Sequence, residues 1–505
     1  MKKFRLYPVL VLLLFTITAA AQDVVIQRGC RRGTPRPEGM VLRRGAEGGQ
    51  TKQTGGDFYH SERHQLTVMV EFNDRAFKGN EDATLAQWNL IFNAKDLTEA
   101  PFKGSVHDYF YAQSYGNFDL TFDLVYIKVK GNAVKYASDD YDENSQYLVE
   151  DIMEVLETRN IDWSLYDWNG DGFVNQLLIV YAGHGMNEFT SATDLIWPHQ
   201  WWMSEHLKDG QKGVYCNPIP VTYNDKEYKV DCYCALAELT KNDDYGSFGT
   251  ICHEYTHCFG FPDFYYNSNY GSKSYVGAWE LMDYGNYNGN GYCPAGYSAH
   301  ERWLMGWLTP TELTSATTVT DMPALNDKPQ AYLIRNDGFE NEYYMVENRQ
   351  QKGWDTNIPG KGILIFHIDY DPTLWVSVTE NVNKPSRQHY LIFPANNSST
   401  TTYYCRNWSY PYNNNNELTD TSTPAATLWN LNKDSSKLMS KPLTNMAVIG
   451  EAASFDFMGG ATGLNTIERT NHTDDAPYYN LAGQRVTNPQ QGIYIVKGRK
   501  VVVSK

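Results

Sequence analysis

Residues 249–266 read GTICHEYTHCFGFPDFYY, and four of them have types and spacing suited to hydrolysis. His253 and His257 stand four apart, so on a helix both imidazoles leave one face and can share a tetrahedral metal ion. Glu254 is turned away from direct ligation but can reach a water on that metal. There it could take a proton and later pass it to a leaving amine. Gly260 permits a sharp left-handed end to the helix, and the turn can bring Asp263 back under the metal as a third ligand. Three protein ligands with one open position make a catalytic rather than a structural zinc site. Such a site lowers the pKa of bound water to about 7. A buried helix whose histidines only satisfy hydrogen bonds could share the bare HExxH pattern; the glycine and aspartate beyond it favour the metal.

These residues need a scaffold. Residues 247–263 read as a helix and turn, capped by Ser247 or Thr250 and stopped by Gly260 and Pro262. Strand-like runs at 66–72 and 175–185 and helical patterns at 105–118 and 146–160 predict one α/β domain over 66–310. After Pro310 short strand-like runs dominate, at 331–335, 343–350, 362–370 and 389–395, separated by Asn, Ser, Thr and Pro clusters. A β-rich accessory domain over 311–458 follows from that texture. At 505 residues the chain is expected to form two or three units plus tails.

The ends carry different signals. Residues 1–21 combine Lys2, Lys3 and Arg5 with an apolar run and Ala19-Ala20-Ala21, the pattern of a cleavable secretory signal. The run is short of the roughly 20 residues that span a bilayer, so no stable membrane span is expected. Residues 22–65 are rich in Gly and Arg, as in a flexible basic leader or short propeptide. A net charge of -16 argues against a nucleic-acid partner. Among the eight cysteines, Cys252 and Cys258 would lie about 9 Å apart on one helix and cannot pair. Cys232 and Cys234 are read as pointing to opposite faces of a strand.

Downstream, VGAWELMDYGNYNG (276–289) places Met282 and Tyr284 as in the methionine turn of metzincins. The 249–266 stretch and HERWLMGWL (300–308) resemble the immune inhibitor A-type secreted metallopeptidases. So do LTVMVEFNDRAF (66–77), GSVHDYFYAQSYGNFDLTFD (104–123) and YDWNGDGFVNQLLIVYAGHG (166–185). IWPH (196–199) and GWDTNIPGKGILIFHID (353–369) match as well, in the same order. The resemblance implies a zincin-type α/β catalytic domain followed by a mainly β domain and a short β tail. It also implies Zn2+ on His253 and His257, Glu254 as the base, and protein or peptide substrates. Asp263 is the expected third ligand, with Glu301 on a later helix as the alternative; Tyr284 is a candidate for steadying the oxyanion.

Residues 459–505 hold a linker and a β-tail similar to the sorting domains of the type IX export machinery, which implies secretion or a cell-surface location. Without that signal the periplasm stays open. The competing class is a surface binding or adhesion protein with an inert zinc centre. Asp167, Asn169 and Asp171 keep the rhythm of a Ca2+ loop, but Leu178 stands where the bidentate Glu belongs, so an Asx-rich turn competes with calcium. Cys30 is read as a structural or unpaired thiol rather than a latency switch. His367 and Asp369 read as a satisfied core pair, and His107, His184 and His199 receive no role.

Overall fold

The computed structural model describes residues 59–460, apart from 138–143, 190–193, 212, 247, 267–272, 376–380 and 399–404, and much of 477–503. The signal, Cys30, nearly all of the leader and Ser247 lie outside the described residues.

The N-terminal part of the described chain is built on a five-stranded sheet. Its strands are β1 (Ser61–Glu71), β2 (Phe118–Lys128), β3 (Leu177–His184), β4 (His199–Trp202) and, after the hairpin of β5 (Ile219–Tyr223) and β6 (Lys226–Val230), β7 (Cys232–Leu239). Their order is β2-β1-β3-β7-β4. β1 runs parallel to β2 and β3, β3 parallel to β7, and β4 antiparallel at the edge. Helices α1 (Glu81–Asn93), α2 (Val106–Gln113) and α4 (Phe248–Cys258) contribute to the core on one face, where Met69, Leu178 and Val180 point. Helix α3 (Ser145–Leu156) packs on the other, against Leu66, Val68, Val70 and Ile179. Burial on both faces is why β1 and β3 read as continuous apolar runs.

β1 starts at Ser61, and Tyr59 before it is fully buried, its carbonyl accepting from Trp307 Nε1 at 2.8 Å. Packed structure therefore already includes Tyr59, ahead of the strand-like run read from 66. Cys232 and Cys234 correct a second expectation. Two residues apart on a strand share a face; both sit in the helix-side core, while Tyr233 between them faces the other way. Among the described residues no disulfide joins the cysteines.

After α5 (Ala299–Leu304) come β8 (Thr311–Glu312), β9 (Thr317–Met322), β10 (Tyr332–Asn336), β11 (Phe339–Arg349), β12 (Gly362–Asp369), β13 (Asn383–Lys384), β14 (Arg387–Gln388) and β15 (Tyr390–Ile392). β16 (Leu443–Ile449) and β17 (Ala452–Phe457) complete the β-rich part. One sheet runs β15-β12-β11-β10-β8 and a smaller one β16-β17-β9. The larger sheet faces two ways. Ile334, Tyr344, Val346, Ile363 and Ile365 pack toward the smaller sheet. Tyr343, Met345, Leu364, Phe366 and Ile368 instead join the core that holds α4. The expected accessory domain thus shares a core with the α/β part that precedes it. In the tail, β18 (Tyr478–Tyr479), β19 (Arg485–Val486), β20 (Gly492–Val496) and β21 (Arg499–Val503) form a separate sheet. Among the described residues no helix is long and apolar enough to cross a membrane.

A buried polar network marks the junction. Arg349, fully buried, donates through Nε and Nη2 to Asp355 at 2.7 and 2.6 Å, through Nη1 to Glu347 at 3.1 Å and through Nη2 to the Gly296 carbonyl at 3.0 Å. Glu347 also accepts from the Ala299 amide at 2.6 Å. Close by, Glu280 and Glu301 are buried together. Burial raises Glu301 to about 7, and burial together with the Glu301 charge raises Glu280 well above the carboxylate range. Tyr390, Ser298, Glu347 and Arg349 face the same pair. A folded-state pKa above the unfolded one means that the folded chain holds the extra proton. Stability is therefore lost as pH rises from about 4.5 through about 7. Glu280→Gln, a permanent mimic of the protonated acid, should raise the melting temperature by several degrees at pH 8 and change it little at pH 5. Equal effects at both pH values would sink this account.

Candidate metal centre

Helix α4 is buried along its whole length. Ile251, Cys252, Tyr255 and Cys258 anchor it in the core, which fixes the direction of the other face. Two glycines make the placement possible. A Cβ on Gly249 would meet the Asn286 carbonyl oxygen at 1.8 Å, so only glycine allows the 284–291 segment to lie this close to the helix. Gly260 has φ +92°, the left-handed conformation that ends the helix and reverses the chain. Thr250 lies inside the helix rather than at its cap.

His253 Nδ1 donates to the Leu281 carbonyl at 2.8 Å, and His257 Nδ1 donates to the Phe261 carbonyl at 2.7 Å. Because a carbonyl only accepts, both Nδ1 atoms carry hydrogen and both Nε2 atoms turn to the same side. There they meet Asp263 Oδ1, at 3.2 Å from His253 and 3.4 Å from His257. The three groups form the one metal-capable cluster found among the described residues, with their ligand atoms all within 4.8 Å of one another. His257 Nε2 and Asp263 Oδ1 are buried without a hydrogen-bond partner. Two imidazole nitrogens and a carboxylate are the donor set of a zinc site. The residues present fit the ion.

The electrostatics agree. Burial opposes a charge on His253, but the close Asp263 carboxylate and the Glu254 charge outweigh it and hold the imidazole up to about 9. Burial likewise opposes the Asp263 charge, yet the two histidines keep this carboxylate well below its usual range. The cluster is therefore set up to hold positive charge in its centre.

Glu254 is buried beside this cluster, and its charge acts on His253 and on Tyr287. Met282 is fully buried, and its carbonyl accepts from the Phe264 amide at 2.8 Å. The turn thus holds His253 through Leu281 and the neighbour of Asp263 through Met282. Tyr284 is half-buried, with ring contacts to Tyr265 at 6.3 Å and Tyr287 at 6.2 Å. Sequence reading missed Tyr287, Leu281 and Phe261. The last two act through backbone carbonyls, which leave no trace in residue type.

Glu301 is engaged elsewhere. Its carboxylate accepts from the Ser298 amide at 2.8 Å in the capping box that starts α5, and it lies outside the His–His–Asp group. Asp167 accepts from the amides of Gly170 and Gly172, Asp171 from Phe173, and Asn169 from Asp171. Lys226 Nζ stands 3.9 Å from Asp167. These are the contacts of an Asx-rich turn. His107 pairs with Asp119 at 2.8 Å, His184 lies 3.2 Å from Asp243, and His199 bonds Tyr233 at 3.0 Å, so all three are occupied away from the cluster. His367 bonds Glu342 at 2.7 Å, and Asp369 binds Arg387.

Residues 60–305 match a family model, that of the immune inhibitor A peptidase M6 catalytic domain. The match is to a metallopeptidase. The M6-like region takes in α4, the 276–289 turn and all of α5, and it covers just under half of the chain. No curated protein matches the chain. Every residue of the M6-like cluster described above lies within the matched span.

Proposed function

We propose that the protein is a secreted zinc-dependent endopeptidase acting on proteins or peptides. One observation carries the reading: two imidazole nitrogens, oriented by backbone carbonyls, converge with a buried carboxylate inside a region matching a metallopeptidase family. His253, His257 and Asp263 would hold the ion. When bound, zinc supplies the Lewis acidity that polarises a peptide carbonyl and makes water nucleophilic near neutral pH. Glu254 then acts as general base, taking the water proton on its carboxylate and delivering it to the leaving amine. Burial of the helix keeps that carboxylate in a medium where its charge is poorly screened. Tyr284 is the candidate donor to the oxyanion, a role supported by its contact with Tyr287, the ring that feels the Glu254 charge.

Export is part of the same proposal. It rests on the secretory pattern of residues 1–21 and on the tail at 459–505 that is similar to type IX sorting domains. Surface attachment or release is the expected destination.

The test is metal removal and return. Processed protein should hold about one zinc per chain and hydrolyse casein; a chelator should abolish the activity, and stoichiometric zinc should restore it. Hydrolysis that survives complete removal of metal would refute the proposal.

A further inference from the structure

We propose that Asn383 is a positioning residue for the metal centre, supplied by the β-rich part of the chain from outside the M6-like region. The proposal rests on reading Asp263 as a ligand.

Asp263 is the residue whose position is hardest to hold. The two histidines ride on a helix packed in the core, whereas Asp263 sits in a turn between Pro262 and Phe264. What fixes it is Phe264, fully buried and held on three sides. Its amide donates to the Met282 carbonyl at 2.8 Å. Its carbonyl accepts from Asn383 Nδ2 at 2.7 Å, across 119 residues of chain. Its ring stacks on Tyr390 with centroids 4.0 Å apart and planes 25° apart.

Asn383 is itself fully buried and committed. Besides Phe264, Nδ2 donates to the Tyr390 carbonyl at 2.6 Å, and Oδ1 accepts from the Tyr390 amide at 2.9 Å. One amide thus locks the backbone of β15 and the residue beside Asp263 into a single unit. Only an amide can do this, because the site needs two donors and an acceptor from one side chain. Tyr390 extends the clamp, its hydroxyl donating to Ser298 Oγ at 2.7 Å at the start of α5. A buried carbonyl deprived of its donor would shift to find another, and the aspartate next to it would move as well. Groups that orient metal ligands from behind typically change affinity about 10–100-fold when removed.

The experiment uses the full chain and zinc alone. Zinc affinity is measured by competition with a chromophoric chelator, and site geometry by the electronic spectrum of the cobalt(II)-substituted protein. The comparator is Asn348→Ala. Asn348 is equally buried in β11 and donates to the Met322 and Glu451 carbonyls, away from the metal. Asn383→Ala should bind zinc about 10–100-fold more weakly and shift the cobalt spectrum, while Asn348→Ala keeps both at wild-type values. Should Asn383→Ala fail to fold, Asn383→Asp removes the donors at unchanged size and should lose affinity in the same way. Wild-type affinity and spectrum in a folded Asn383 variant would overturn the proposal, as would an equal loss in Asn348→Ala. Asp263→Ala separates the two levels. If it keeps zinc, the ligand reading itself fails; if it loses zinc while Asn383→Ala holds it, only the role of Asn383 fails.

Discussion

Glu254→Gln should lower casein hydrolysis by about 10²–10⁴-fold, the usual contribution of a positioned general base, and leave zinc content at the wild-type level. The substitution keeps the size and the hydrogen-bonding shape of the side chain and removes only its basicity. Glu254 lies outside the His253–His257–Asp263 cluster, so the ion should keep its protein ligands. The loss corresponds to about 3–5 kcal/mol of barrier. Assay of purified variant and wild type at equal zinc occupancy decides the matter. A variant of near-normal activity would mean that another group accepts the proton. A variant without zinc would mean that Glu254 holds the ion, and the division of labour along α4 would need redrawing.

Arg349→Met should destabilise the protein by about 3–5 kcal/mol, the range for breaking a buried ion pair, and lower its melting temperature by about 5 °C. Methionine fills much of the volume but leaves Asp355, Glu347 and the Gly296 carbonyl facing an apolar chain. Two of those groups are buried charges. The matched control is Arg335→Met, which removes the pair between Arg335 and Glu312 at 3.0 Å. Both of its members are partly exposed, so the expected loss is below about 1 kcal/mol. Similar melting of the two variants would show that the junction is held by apolar packing alone.

Parts of this architecture are legible in the chain because they depend on local pattern. The apolar runs of β1 and β3, the i and i+4 histidines and the stop at Gly260 need no partner to be recognised. Helix α1 was harder: Trp88, Ile91 and Phe92 are buried, but polar residues crowd the intervening positions. The hairpin of β5 and β6 has burial on few of its positions and gives little contrast to read. The facing of Cys232 and Cys234 was a misapplied period rather than a weak signal. The contacts that finish the site could not be read at all. Leu281 and Phe261 serve through carbonyls that any residue has, and the Asn383–Phe264 bond spans 119 positions. Only folding brings such partners together.

The larger β-sheet, with one face in each core, bears on how the chain can be subdivided. The family match stops at 305, yet Tyr343, Met345, Leu364 and Phe366 pack into the core of the matched part. A piece trimmed to the matched residues would present to water an apolar wall meant for those side chains, a surface suited to aggregation. The smallest unit that can be handled as a tool reagent therefore ends near Phe457, at the close of β17. Exchanging this β-sheet with that of a relative would amount to redesigning a protein interior rather than swapping a module.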